Sequence, residues 1–218
     1  MVRPIRSFVL RQGRTTPAQQ RALDELVPRY GLAFSQEPID AERIFNRKAP
    51  LVLEIGSGMG ETTAAIAAAH PEADFIAVEV HGPGVGSLLN RIDSQQLQNL
   101  RVIRHDAVEV LERMIGEGAL AAIHVFFPDP WPKKRHHKRR LVQPAFVSLM
   151  RSKLAPGGSV HLATDWAEYA EQMAEVFSKD AGFEPAPEGY VKRATTKFEK
   201  RGVKLGHPIR DLFYRRRA

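Results

Sequence analysis

From Pro50 onward the chain alternates short apolar runs with longer stretches of helical character, and few architectures accept that alternation. LVLEIG (51–56), FIAVEV (75–80), RVIRHD (101–106), LAAIHVFFPD (120–129) and SVHLATD (159–165) read as strands. Each is followed by enough chain for a crossover helix, as parallel neighbours require. Between the last two runs, Val142, Phe146, Leu149, Met150 and Leu154 recur at helical spacing. Pro144 is tolerated in that helix's first turn, and Gly157 and Gly158 are expected to end it. After Tyr190, VKRATTKF and IRDLFYRR read as a final antiparallel pair. The expected fold is α/β: a mostly parallel sheet with helices on both faces and a C-terminal antiparallel strand pair. With 218 residues, 43% of them apolar, the chain builds one sizeable core, so residues 41–218 are expected to form a single domain.

The first 40 residues differ. Arg3, Arg6, Arg11, Arg14, Arg21 and Arg29 face only Asp24 and Glu25 within the first 30 residues, and the segment has little periodic apolar pattern. It reads as a basic, mobile or loosely docked arm. The formal charge of the whole chain is +7, which favours a polyanionic partner, nucleic acid first. The absence of cysteine excludes disulfides and thiolate metal sites, and the eight histidines are scattered rather than set at ligand spacing. No apolar run is long enough to span a bilayer, and the start lacks the pattern of a secretory signal. The reading is cytoplasmic, with no metal and no membrane.

The turn EIGSGMGETT carries Gly56, Gly58 and Gly60 directly ahead of a helix. Glycines there let the backbone approach a ligand and direct amides at it. Dinucleotide enzymes use a similar turn with the last glycine one residue later. Glu79 follows Gly60 by 19 residues, where a carboxylate can take both ribose hydroxyls of an adenosine. Asp106, at the end of the third strand, is in position to reach an adenine edge. Both Asp106 with Glu109 and Asp165 with Glu168 also fit a capping box, a role that can coexist with binding. Glu54 interrupts an apolar strand, so it needs an amine or amide partner. The ammonium of an amino-acid cofactor supplies one, which favours S-adenosyl-L-methionine over a dinucleotide.

EIGSGMG, IAVEVHGPGVGSLL, NLRVIRHDAVEVL, FFPDPWPKKRHHKRRLVQ, LAPGGSVHLATDW and TKFEKRGVKLGH together resemble the bacterial-type tRNA (guanine-N7)-methyltransferases, from about Arg6 to the C-terminus. The resemblance implies a Rossmann-like class I S-adenosylmethionine-dependent methyltransferase acting on a guanine in the variable loop of tRNA. It implies cofactor contacts at Glu54, Glu79 and Asp106, alongside the glycine turn, with Asp129 beside the cofactor at the catalytic centre. It further implies substrate contacts at Lys133, at Asp165, and at Thr196, Lys197, Phe198 and Glu199.

The residues support that reading on their own chemistry. Guanine N7 already holds an in-plane lone pair, so methylation needs alignment rather than a base. Transfer creates a cation, and one carboxylate near the acceptor stabilises it. Asp129, between Pro128 and Pro130 and followed by Trp131, suits that role. The run Lys133, Lys134, Arg135, His136, His137, Lys138, Arg139 and Arg140 then reads as a phosphate track. Two alternatives stand beside it. D-P-W resembles the Asp-Pro-Pro-aromatic loops of exocyclic-amine methyltransferases, without the second proline. A non-catalytic RNA-binding module of the same fold is the other.

Overall fold

A computed structural model describes residues 6–9, 13–191 and 208–218. Strands β1 (Leu51–Ile55), β2 (Asp74–Val78), β3 (Leu100–Ile103), β4 (Leu120–Phe126) and β5 (Leu154–Thr164) run parallel, and β7 (Arg210–Arg216) is antiparallel to both β5 and β6 (Phe183–Pro185). The order across the sheet is β3-β2-β1-β4-β5-β7-β6. Every residue of β1 and β2 is buried, as helices on both faces demand of a parallel strand. One face packs on α6 (Ala107–Met114), α7 (Pro144–Lys153), α8 (Ala167–Ser178) and the short α3 (Ala41–Phe45). The other carries α1 (Pro17–Glu25), α2 (Val27–Tyr30), α4 (Glu61–Ala69) and α5 (Gly82–Ser94). Chain order reverses between β1 and β4. A crevice therefore opens at their carboxyl ends, where ligands of such sheets bind.

Three expectations need revision. Gly157 and Gly158 do not end α7; the helix stops at Lys153, and both glycines lie in the first part of β5. Pro156 explains it, because the residue before a proline is driven out of the helical region. The final antiparallel pair is real, but the described partners of β7 are β5 and β6. From residue 192 onward the expected strand VKRATTKF lies outside the described residues, and so do Thr196, Lys197, Phe198 and Glu199.

The third revision concerns the arm. Its second half is folded and docked. Thr16 caps α1 through Gln19 N, while Gln19 Oε1 returns a bond to Thr16 N at 2.9 Å, and Pro17 occupies the first turn. This T-P-A-Q signature was present in the sequence and outweighs the missing periodicity. Ala22 and Tyr30 are buried, and the Tyr30 hydroxyl donates to Asp93 Oδ1 at 3.0 Å. Leu32 N donates to Val102 O at 2.8 Å, so the chain continues along the sheet edge beside β3. A Cβ on Gly86 would stand 2.6 Å from Gln19 O; the α1–α5 approach needs a glycine there. Tyr30→Ala is expected to cost on the order of 3 kcal/mol, as for other large aromatics removed from a core. Urea unfolding monitored by circular dichroism measures it; a loss under about 1 kcal/mol, the scale of an exposed site, would show that this segment is not docked.

Candidate active site at the carboxyl edge of the sheet

The glycine turn leaves β1 with φ of 78° at Gly56, 55° at Gly58 and 74° at Gly60. That region penalises any residue with a Cβ. At Gly60 a Cβ would also strike the Leu88 side chain at 2.5 Å, so the last glycine serves packing as well as the turn. Gly56 and Gly58 face open space. The carboxylate of Glu79, just beyond β2, holds the turn in place. Its Oε2 accepts from Gly58 N at 2.8 Å, and its Oε1 accepts from Val80 N at 2.7 Å and His81 N at 2.9 Å. Three donors leave this carboxylate limited capacity for ligand hydroxyls.

Glu54 lies inside β1 at 3% exposure. Its Oε1 accepts from the Thr63 hydroxyl at 2.7 Å, while Oε2 has no hydrogen-bond partner. Burial pushes the carboxyl from the ordinary 4.5 up to about 7, against the smaller opposing pull of Thr63. The register sets His124 of β4 opposite Glu54. That imidazole is fully buried, and burial drives it down to about 3. It is neutral and supplies no countercharge. The unpartnered oxygen calls for a donor, and an ammonium group is one that would satisfy it.

Asp106 caps α6 by accepting from Val108 N at 3.0 Å. The rest of the expected capping box is absent, because Glu109 pairs with His105, whose ring stacks on Phe34 at 3.8 Å. Gly56, Glu79, Asp106 and Asp129 line one crevice of about 200 Å³, with Ser7 and Phe8 as part of its wall. A wider cavity of about 760 Å³ shares Val80 and His81 with it and is bounded by Gln20, Leu23 and Asp24 of α1. The N-terminal segment thus forms walls of the site, a role for which the sequence carried no signal.

Asp129 stands exposed on the loop after β4. Phe127 and Trp131 flank it with φ of 51° and 46°, values that are outliers for bulky residues. Three bonds hold this loop: Phe127 N to Ala163 O at 2.7 Å, Arg140 Nε to Pro130 O at 2.8 Å, and the Trp131 indole to Ser7 O at 3.0 Å. The basic run continues as a 3-10 turn, Lys134–Arg139. Lys133, Arg135 and Lys138 are exposed, and His136, His137 and Arg139 are half-buried. The Arg139 guanidinium lies over the Trp131 ring at 5.0 Å, with His136 edge-on at 5.8 Å. Desolvation, then the charges of Arg135 and Arg139, hold His136 below the usual imidazole range. Lys138 and Arg139 share a groove with Asp106, so the charge adjoins the crevice.

Two predicted residues sit otherwise than expected. Arg140 is no phosphate contact: its side chain is 1% exposed, so no RNA backbone reaches it. Asp165 is exposed at the end of β5 but does not cap α8. Trp166 holds the cap position, its N–H donating to Thr164 Oγ1 at 3.2 Å, and Glu168 turns to Arg140 and His137.

Known proteins agree with this geometry. A family model described as a putative methyltransferase matches residues 48–212. A tRNA (guanine-N(7)-)-methyltransferase of Aromatoleum aromaticum is 58% identical over 220 residues, spanning 99% of this chain and 85% of that protein. One from Nitrosomonas europaea is 55% identical over 219 residues, spanning 99% and 98%. Among solved structures, the 16S rRNA methyltransferase KamB gives a TM-score of 0.60 at 18% identity, covering 84% of this chain and 96% of that one. A 16S rRNA (adenine(1408)-N(1))-methyltransferase solved with SAM gives 0.54 at 16% identity, covering 81% and 89%. Those two show the fold alone, which is the Rossmann-like class I methyltransferase fold. Identity above one half over nearly the whole chain shows more: the chain belongs to the tRNA (guanine-N(7)-)-methyltransferase family.

Proposed function

We propose that this protein transfers a methyl group from S-adenosylmethionine to N7 of a guanine in the variable loop of tRNA, in the cytoplasm. One observation carries the choice of acceptor atom. Methylation of an exocyclic amine calls for two acceptors around the NH2 group, a side chain and a neighbouring carbonyl. Here the carbonyl next to Asp129, that of Pro130, already spends one of its two lone pairs on Arg140 Nε at 2.8 Å. The Asp129 carboxylate is the exposed acceptor of this loop. It suits an acceptor that has no proton to lose and gains positive charge as it reacts.

When bound, S-adenosylmethionine supplies a methyl group made electrophilic by the sulfonium. The protein's own groups bind and align. Glu54 takes the ammonium on its unpartnered oxygen. Gly56, Gly58 and Gly60 admit the ligand close to backbone, Glu79 offers its remaining capacity to a ribose hydroxyl, and Asp106 uses the oxygen not committed to the α6 cap for the adenine edge. Asp129 faces the charge that develops on the guanine. Lys133, Arg135, His136, His137, Lys138 and Arg139 track phosphates, and Asp165, exposed just past the neighbouring strand β5, meets the extruded nucleotide. N7 lies on the deep, narrow groove of A-form RNA, so the target base has to leave its stack. Thr196, Lys197, Phe198 and Glu199 complete the proposed RNA contacts.

The acceptor is tested with a tRNA transcript carrying 7-deazaguanine at the target. It is expected to bind and to accept no methyl group, while the unmodified transcript yields 7-methylguanosine, read as chain cleavage by aniline after reduction. Methylation of the deaza transcript would overturn the N7 assignment. Asp129→Asn is expected to keep tRNA affinity while losing most of its single-turnover rate.

Glu54 adds a pH dependence. Its ionised form is the one that pairs with an ammonium, so S-adenosylhomocysteine should bind about tenfold more weakly at pH 6 than on the plateau above pH 8, given a carboxyl at about 7. Without ligand the sign follows from a folded value raised above the unfolded one. The stability contribution is complete below about pH 4.5 and is lost as pH rises through about 7. Glu54→Gln should flatten both profiles, as calorimetry and urea titration at several pH values would record. A cofactor affinity equal at pH 6 and pH 8 would remove Glu54 from the ammonium site.

A further inference from the structure

The basic run hides a residue with a different task. Among its members Arg140 alone is buried, with 1% of its side chain exposed. Its Nε donates to Pro130 O at 2.8 Å, and one terminal nitrogen donates to Gln172 Oε1 at 2.6 Å. The other terminal nitrogen lies 3.4 Å from Glu168 Oε1 and 3.2 Å from His137 Nε2. The guanidinium carbon lies over the Tyr169 ring, 4.9 Å from its centroid. Glu168, Tyr169 and Gln172 all belong to α8, so one rigid fork joins that helix to the loop beside Asp129.

We infer that Arg140 is a positioning residue: it fixes the Asp129 loop to α8 through the Pro130 carbonyl and thereby sets where the Asp129 carboxylate stands. The inference rests on the reading of Asp129 given above. The loop is strained at Phe127 and Trp131, and such backbone persists only where its surroundings over-determine it. Pro130 has no N–H, so its carbonyl is the only backbone polar group by which that residue can be held. Asp129 itself is exposed, and its place is inherited from the backbone on either side. A displacement near 1 Å at a reacting centre costs about a hundredfold in rate.

The experiment compares Arg140→Gln, Arg140→Lys and Arg139→Ala. Arg140→Gln should lower kcat about a hundredfold while S-adenosylhomocysteine affinity, tRNA affinity and the slope of log K against log salt stay as in the parent. Arg140→Lys should not restore the rate, because an ammonium cannot hold Pro130, Gln172 and the Tyr169 face together. Arg139→Ala, by contrast, should reduce the salt slope by about 1. In a Trp166→Phe background, acrylamide quenching of the single remaining Trp131 should rise in Arg140→Gln, which reports the loosened loop whatever Asp129 does. A reduced salt slope in Arg140→Gln, full recovery in Arg140→Lys, or unchanged quenching would each overturn the positioning role. If Asp129→Asn keeps its rate while quenching still rises in Arg140→Gln, it is the Asp129 reading that has failed. Should Arg140→Gln not fold, Gln172→Ala removes one anchor and should show the same pattern with a smaller loss of kcat; an unchanged kcat there would overturn the inference equally.

Discussion

The Glu79 carboxylate, accepting three backbone N–H groups, is the joint on which the cofactor half of the site depends. Parallel strands end in unpaired backbone groups, and three glycines in the turn after β1 leave its backbone little restricted by its own side chains. A buried carboxylate just past β2 supplies that hold from the neighbouring strand, tying Gly58 to the start of α5. In the proposed site the same group also takes a ribose hydroxyl. Both uses would draw on one set of lone pairs, coupling the geometry of the turn to cofactor binding through a single side chain.

Glu54 is the counterpart in the interior. A carboxylate inside an apolar strand is costly unless paired. Thr63 satisfies one oxygen, and His124 across the register is held neutral by its own burial. In the proposed site an ammonium arriving with the ligand would supply the missing partner. Selectivity for an amino-acid cofactor would then rest on this unsatisfied group rather than on the glycines, which many nucleotide-binding folds share.

On the substrate side, the run from Lys133 to Arg140 divides its labour. Exposed Lys133, Arg135 and Lys138 carry charge to the surface of the 3-10 turn. Arg139 stacks on Trp131, and Trp131 reaches Ser7. Arg140 turns inward to α8. Charge attraction and loop placement are thus set by adjacent residues, and the N-terminal segment closes one wall of the same crevice.

From the residues alone β1 to β5 were legible as parallel strands, because continuous apolar runs separated by crossover lengths favour that arrangement. Gly56, Glu79, Asp106 and Asp129 were legible at strand ends, while the order of the strands came from the structure. The sequence also contained the T-P-A-Q cap of α1, a signal that outweighs the missing periodicity once the burial of Ala22 and Tyr30 is known. It took the tertiary structure to separate the exposed members of the eight-residue run Lys133 to Arg140 from the buried one. Charge runs carry no periodicity, and the partners of Arg140 on α8 lie some thirty residues away in sequence. Likewise Gly157 and Gly158 carry the composition of a helix stop but serve a strand entry, since Pro156 had already ended the helix. Local chemistry specified the elements; side-chain direction, which local pattern does not encode at loops, assigned the roles.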